Sequence, residues 1–146
     1  MSLYLPYMTR CGNSTSEGIR VWHTRHRQCP QCNTTCSAID RFIEVPKLIA
    51  IEMPGLVNTR YTSKTIKTLH GNNTWSTLSL RGMIYLGGSH SVSRIITNNQ
   101  EVWYNDGMQN SVRSKYECKL NEISAHDLET AQNRKAVVAV YARYLY

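Results

Sequence analysis

Phenylalanine is almost absent from this chain, with one residue against nine Tyr and three Trp, so its rings carry a polar handle that suits partly wet grooves as well as ordinary sheet. No apolar run reaches the length that a bilayer-spanning helix needs, so no membrane partner is expected. The opening Met-Ser-Leu-Tyr-Leu-Pro-Tyr-Met lacks both the charged region and the uninterrupted apolar stretch of a secretion signal. The five cysteines are an odd number and four precede residue 37, which predicts reduced thiols in cytosol or nucleus rather than a disulfide framework. Without a secretory context the Asn-x-Ser/Thr triplets carry no weight. No internal repeat or low-complexity segment breaks the sequence, and residues 1 to 146 are enough to bury one core. Acidic residues are in deficit, ten against seventeen Lys plus Arg, so the mean field attracts acidic partners. The basic residues are scattered, dense only at His23-Thr-Arg-His-Arg27 and between Arg60 and Lys67. Nucleic acid is therefore a weaker expectation than an acidic protein partner, and a solvated basic face is the plain alternative.

Along the chain, residues 1 to 10 alternate at Leu3, Leu5 and Tyr7 and predict an edge strand that tolerates Pro6. Residues 11 to 18 read as loop and Ile19 to His23 as a short strand. Cys29-Pro-Gln-Cys32 spaces two thiolates to share one ion, with Pro30 pre-setting the knuckle turn. A tetrahedral zinc site needs two further ligands, for which Cys36, His26, His23 and Cys11 lie near in sequence. We take Cys29, Cys32, Cys36 and His26 as the candidate set. Such a zinc would be structural, and reduced thiols in a metal-free turn remain the alternative.

Ile39 to Met53 predicts two strands or one bent strand, broken at Val45-Pro46. The continuous apolar run Leu48 to Ile51 predicts a central strand buried on both faces, closed by Pro54-Gly55. Tyr61 to Leu69 reads as one strand of an exposed hairpin that turns at Gly71-Asn-Asn73. Val112 to Leu120 has no assignment, and Cys118 within it reads as a buried structural thiol. Ser124 followed by Asp127 predicts a capped helical turn with Leu128 and Ala131 inward. Ala136 to Tyr144 is apolar at both alternating sets, which places it in the middle of a sheet. Together these elements predict an α+β domain dominated by an antiparallel sheet with few short helices.

The most informative stretch runs from Arg81 to Met108. Trp75 to Leu86 predicts a strand into a glycine turn, and His90 opens the next strand. Gly87-Gly88 and Asn98-Asn99 supply the left-handed backbone that hairpins need. Asn105 and Asp106 end the third strand, where an antiparallel return brings them beside His90. An imidazole oriented by an Asn or Asp side chain is two-thirds of a Cys-His-Asn/Asp nucleophilic apparatus. The structural alternative is a His90 that bonds a backbone carbonyl and orders its turn.

Gly88-Ser-His90-Ser-Val-Ser-Arg resembles the Gly-His-Tyr-Thr-Ala box of the ubiquitin-specific protease family of cysteine deubiquitinases, and Val102-Trp-Tyr-Asn-Asp-Gly107 resembles the segment that follows it. Cys29-Pro-Gln-Cys32 ahead of Ile39 to Ile51 is similar to the family's last zinc-finger Cys pair and core strand. Ala136 to Tyr144 is similar to its closing strand. The resemblance implies a degenerate finger base or zinc knuckle over residues 11 to 36 and a palm-like sheet over 37 to 146. It also implies thiol isopeptidase chemistry on ubiquitin or a related modifier. His90 would be the general base, Asn105 would orient its ring, Asp106 would help to stabilise the oxyanion, and Gly87, Gly88, Trp103 and Tyr104 would line the modifier groove. The spacing from Trp103 to Asp106 is one residue shorter than in the family, which leaves the roles of Asn105 and Asp106 open. Ser91 stands where the family has Tyr.

The family's Cys box is missing. Cys11 lies in a loop with no helical period after it, so the chain is expected to be inactive alone. Three readings follow from that: half of an isopeptidase, a non-catalytic binding module for ubiquitin or a ubiquitin-like modifier, or a basic zinc-containing nucleic-acid binder. A palm without its thumb exposes apolar surface, so self-association or a second chain supplying the missing half is also expected.

Overall fold

The computed structural model describes residues 24–39, 42–53, 62–109 and 111–143, with backbone alone at 24–27 and 36–39. The readings made for residues 1 to 23, including Cys11 and His23, and for Pro54-Gly55 lie outside the described residues. Strands β1 (Thr24–Gln28) and β2 (Thr35–Ile39) form a hairpin of their own. The remaining strands make one sheet: β3 (Leu48–Glu52), β4 (Thr65–Leu69), β5 (Trp75–Gly87), β6 (His90–Ile96), β7 (Glu101–Asn105), β8 (Lys115–Lys119), β9 (Thr130–Ala131) and β10 (Arg134–Ala142). Its order is β3-β10-β5-β6-β7-β8, with β4 beside β5 and β9 beside β10, and every strand pairing is antiparallel. One short helix, α1 (Ala125–Glu129), is capped by Ser124, whose hydroxyl accepts from the Asp127 amide at 3.0 Å. The mainly antiparallel α+β architecture is as the sequence predicts.

Turn chemistry sets the registers. Gly88 and Ser89, rather than Gly87 and Gly88, are the two left-handed residues of a type I′ hairpin, both with φ of 60°, and Gly87 is the last residue of β5, paired with His90. Between β6 and β7 the left-handed residue is Gln100 at φ 62°, not Asn98 or Asn99. That loop turns in right-handed backbone first, with the Gln100 amide bonded to Thr97 O at 3.1 Å.

Strand β5 is long enough to need a correction of phase. Its pairing with β10 slips next to Arg81, and the slip lets Leu78 and Leu80 before it and Met83 and Tyr85 after it all point inward. β10 lies between β3 and β5 with Ala139 and Tyr141 fully buried, as its two apolar faces predict. β3 differs from expectation. Among the described strands it ends the sheet, burying Ile49 and Ile51 while Leu48 stays 46% exposed. A run of consecutive apolar residues in a short strand does not by itself distinguish a central position from an edge.

Among the described residues two charged side chains are buried, Asp106 just past a strand end and Arg94 within a strand. Arg94 on β6 is buried on the same face as Val92 and Ile96, where an unpaired guanidinium would be very costly. It donates to Glu117 Oε2 at 2.6 Å and Oε1 at 3.2 Å, to the carbonyls of Asp127 (2.6 Å) and Thr130 (2.8 Å), and to the Tyr85 hydroxyl at 3.2 Å. Tyr85 in turn donates to Leu128 O at 2.6 Å, and burial pushes its own pKa up to about 12. Arg94 thus ties β5, β6, β8 and the end of α1 into one network. Arg94→Met orphans two carbonyls and is expected to cost about 2–4 kcal/mol in urea unfolding. Glu117→Gln alters a partly exposed pair and is expected to cost about 1 kcal/mol or less; equal losses for the two variants would contradict the network.

Candidate active site

Strand alternation puts His90 in phase with Val92, Arg94 and Ile96 of β6. On β7 the inward residues are Val102 and Tyr104, and Asp106 follows in the same phase just past the strand end. With Ser93 opposite Asn105 in the ladder, Asp106 lies diagonally beside His90. His90 Nε2 and Asp106 Oδ1 are 2.8 Å apart, with the His side chain 20% and the Asp side chain 1% exposed. The same Oδ1 accepts the backbone N–H of Met108 at 3.0 Å and that of Gln109 at 3.4 Å, an Asx-type turn that fixes the carboxylate.

Burial pushes the Asp106 carboxyl up, but the bonds from His90 and from the Met108 and Gln109 amides outweigh it and hold the group below the usual carboxylate value. An ionised carboxylate only accepts hydrogen bonds, so in the neutral imidazole the proton sits on Nε2 and the lone pair on Nδ1. Nδ1 has no bond to the described residues. A ring held this way can take a proton from a nucleophile placed at Nδ1.

The other sequence-predicted residues divide. Asn105 does not orient the ring: it points out of phase with His90, and its amide donates to Arg113 O at 3.1 Å and Ser111 O at 3.5 Å. Its effect is to hold the connection between β7 and β8. Trp103 also faces away from His90, edge-on to Tyr116 with ring centroids 5.6 Å apart and its indole bonded to Glu101 at 3.3 Å. Tyr104 shares the inner face with His90. A Cβ on Gly87 would stand 3.1 Å from Arg134 Cγ, so this chain's own side chain already covers that glycine. Beside Gly88 there is open space, and any close backbone approach belongs there.

No described thiol bonds to His90. Cys118 is half-buried opposite Val102 on β8, and burial raises its pKa. Cys29 and Cys32 flank the β1–β2 turn, closed by Cys29 N to Thr34 O at 2.9 Å and Asn33 N to Cys29 O at 2.9 Å. Hydrogen bonds to Thr34 and then to Cys29 hold the Cys32 thiol below its ordinary value. Two adjacent thiols are half of a tetrahedral zinc site. Among the described residues no three His, Cys, Asp or Glu converge as metal ligands, and the ladder sets the backbone of His26 opposite Ser37 and that of Cys36 opposite Arg27.

Sequence reasoning missed a cleft of about 430 Å³ lined by Tyr104, Gln109, Lys115, Tyr116, Glu117 and Gln132, connected to the dyad through Gln109, whose amide bonds Asp106. Its residues come from three separate segments, so no local pattern marks it.

No family model matches this chain, and no curated protein does. Among solved structures it is similar to the SAGA DUB module of Ubp8, Sgf11, Sus1 and Sgf73, at 14% identity and a TM-score of 0.47 over 89% of the chain. The chain spans 33% of the length of the chain it matches there. A likeness of this degree assigns neither family nor activity.

The dyad makes a pH prediction. A carboxyl whose folded pKa is depressed stabilises the fold fully above its ordinary value of 3.8 and loses that contribution as pH falls through the lowered value. Urea midpoints taken from about pH 5 to about pH 2 should therefore fall more steeply for the native chain than for Asp106→Asn. Parallel profiles would contradict the assignment.

Proposed function

We propose that this chain carries the His-carboxylate half of a thiol isopeptidase site, with His90 as the base and Asp106 as the residue that orients it. The observation that supports this is the 2.8 Å bond between His90 Nε2 and a buried carboxylate held by two further amides. A histidine that merely ordered its turn would need no buried, amide-capped anion. In the proposed reaction Nδ1 takes the proton of a thiol and the thiolate adds to the amide carbonyl. The imidazolium then protonates the leaving amine as the C–N bond breaks, and water hydrolyses the thioester with His90 again as base. Asp106 is anionic and would repel an oxyanion, so oxyanion stabilisation falls to other donors.

The nucleophile would come from a cysteine outside the described residues or from a second chain, and the protein is inactive without it. The substrate class, a ubiquitin or ubiquitin-like C-terminal amide, rests on the resemblance of the segments around His90 and Asp106 to the ubiquitin-specific protease boxes. Cys29 and Cys32, with Cys36 and His26, would hold a structural zinc that supplies no chemistry to the site. A second reading, a modifier-binding module that no longer cleaves, is favoured by the lack of any described thiol bonded to His90. Neither reading uses nucleic acid.

Reaction of the protein with modifiers carrying a C-terminal electrophile, followed by intact mass, separates the readings. The isopeptidase reading expects an adduct on one cysteine that falls at least about tenfold in rate with His90→Ala. Binding without an adduct would favour the module, and neither binding nor adduct would contradict both.

A further inference from the structure

Three buried polar groups have no hydrogen-bond partner among the described residues: the Tyr104 hydroxyl, Asp106 Oδ2 and Arg134 Nε. They come from β7, the turn after it and β10, and the charges of Asp106 and Arg134 both act on the Tyr104 hydroxyl. Arg134 lays its Cγ against Gly87, and its NH1 donates to Gln132 Oε1 at 3.2 Å. Orphaned buried polar atoms are rare and costly, and the two donors among these three, the Tyr104 hydroxyl and Arg134 Nε, call for an acceptor.

Tyr104 is also a wall of the 430 Å³ cleft. Of the charged groups that line this cleft, Glu117 is committed to Arg94, whereas Lys115 is exposed with no bond to the described residues. The amides of Gln109 and Gln132 add further donors at its rim. Uncommitted valence in the cleft is therefore cationic or hydrogen-donating, and its complement is a carboxylate.

We propose that this cleft is a specificity subsite for an acidic side chain of the polypeptide presented to His90. Lys115 supplies the countercharge, and Tyr104 and Gln109 supply the neutral donors. The proposal rests on the isopeptidase or modifier-binding reading for its location, and it adds the charge of the residue near the site.

The test is fluorescence anisotropy of the full chain with labelled peptides that end in Gly-Gly and carry Glu, Gln or Lys at one preceding position. One Glu peptide is expected to bind about tenfold tighter than its Gln twin at low salt. Lys115→Glu should invert the preference towards the Lys peptide. Tyr104→Phe should weaken the Glu peptide about fivefold, while leaving the melting temperature unchanged or raised, because the lost hydroxyl has no internal bond. Equal binding of Glu and Gln peptides at every position, or no binding of any peptide, would overturn the subsite. Failure of the function shows differently: a charge preference that persists when no modifier forms an adduct or binds would leave an acid-selective peptide cleft standing and remove both the isopeptidase and the modifier-binding readings.

Discussion

A guanidinium inside an antiparallel sheet is the constraint around which this domain is arranged. Arg94 occupies an inward position between Val92 and Ile96, and an arginine cannot shed its charge there. Its burial is tolerable only if every donor finds an acceptor, and the acceptors come from four places: Glu117 on β8, Tyr85 on β5, and the Asp127 and Thr130 carbonyls at the end of α1. Desolvation alone would lower the Arg94 pKa, but the bond to Glu117 and the contacts with Tyr85 outweigh it and keep the group firmly charged. The carbonyls it binds are those that a short helix leaves unsatisfied at its C-terminus. Helix α1 is too brief to hold itself together, and it is held on the sheet by Leu128 and by this side chain.

The same phase that turns Arg94 inward delivers the site. Counting back by two along β6 gives Val92 and then His90; counting along β7 gives Val102, Tyr104 and then Asp106. Register decides which of two adjacent acid or amide residues meets the imidazole, and it selects Asp106. Asn105, one residue earlier, faces the other way and holds the loop whose amides cap Asp106. The dyad and its support are therefore products of strand period rather than of the chemistry of each side chain.

Much of this was legible before any coordinates. A glycine turn ahead of His90, the Ser124 cap and the central place of β10 each follow from local rules, and so does the position of His90 at a strand start, whereas the second left-handed residue of that turn is Ser89 and not Gly87. The division between Asn105 and Asp106 was in principle legible too, since the two-residue period links His90, Val92, Tyr104 and Asp106. The family resemblance pointed instead to Asn105. The same period puts Trp103 out of phase with His90, on the other face of the sheet. The edge position of β3 was not legible, because strand order depends on partners far away in sequence. The cleft and the Arg94 network were hidden likewise, though an arginine in phase with Val92 and Ile96 was a sign that an inward charge needed partners.

Asp106 holds the His90 ring by Nε2 and leaves Nδ1 without a bond to the described residues. Long-range proton–nitrogen NMR of the imidazoles tests this directly. The account predicts that neutral His90 carries its proton on Nε2, and that Asp106→Ala, but not Asn105→Ala, releases it into a mixture of tautomers. A proton on Nδ1 in the native chain, or a tautomer indifferent to Asp106, would contradict it.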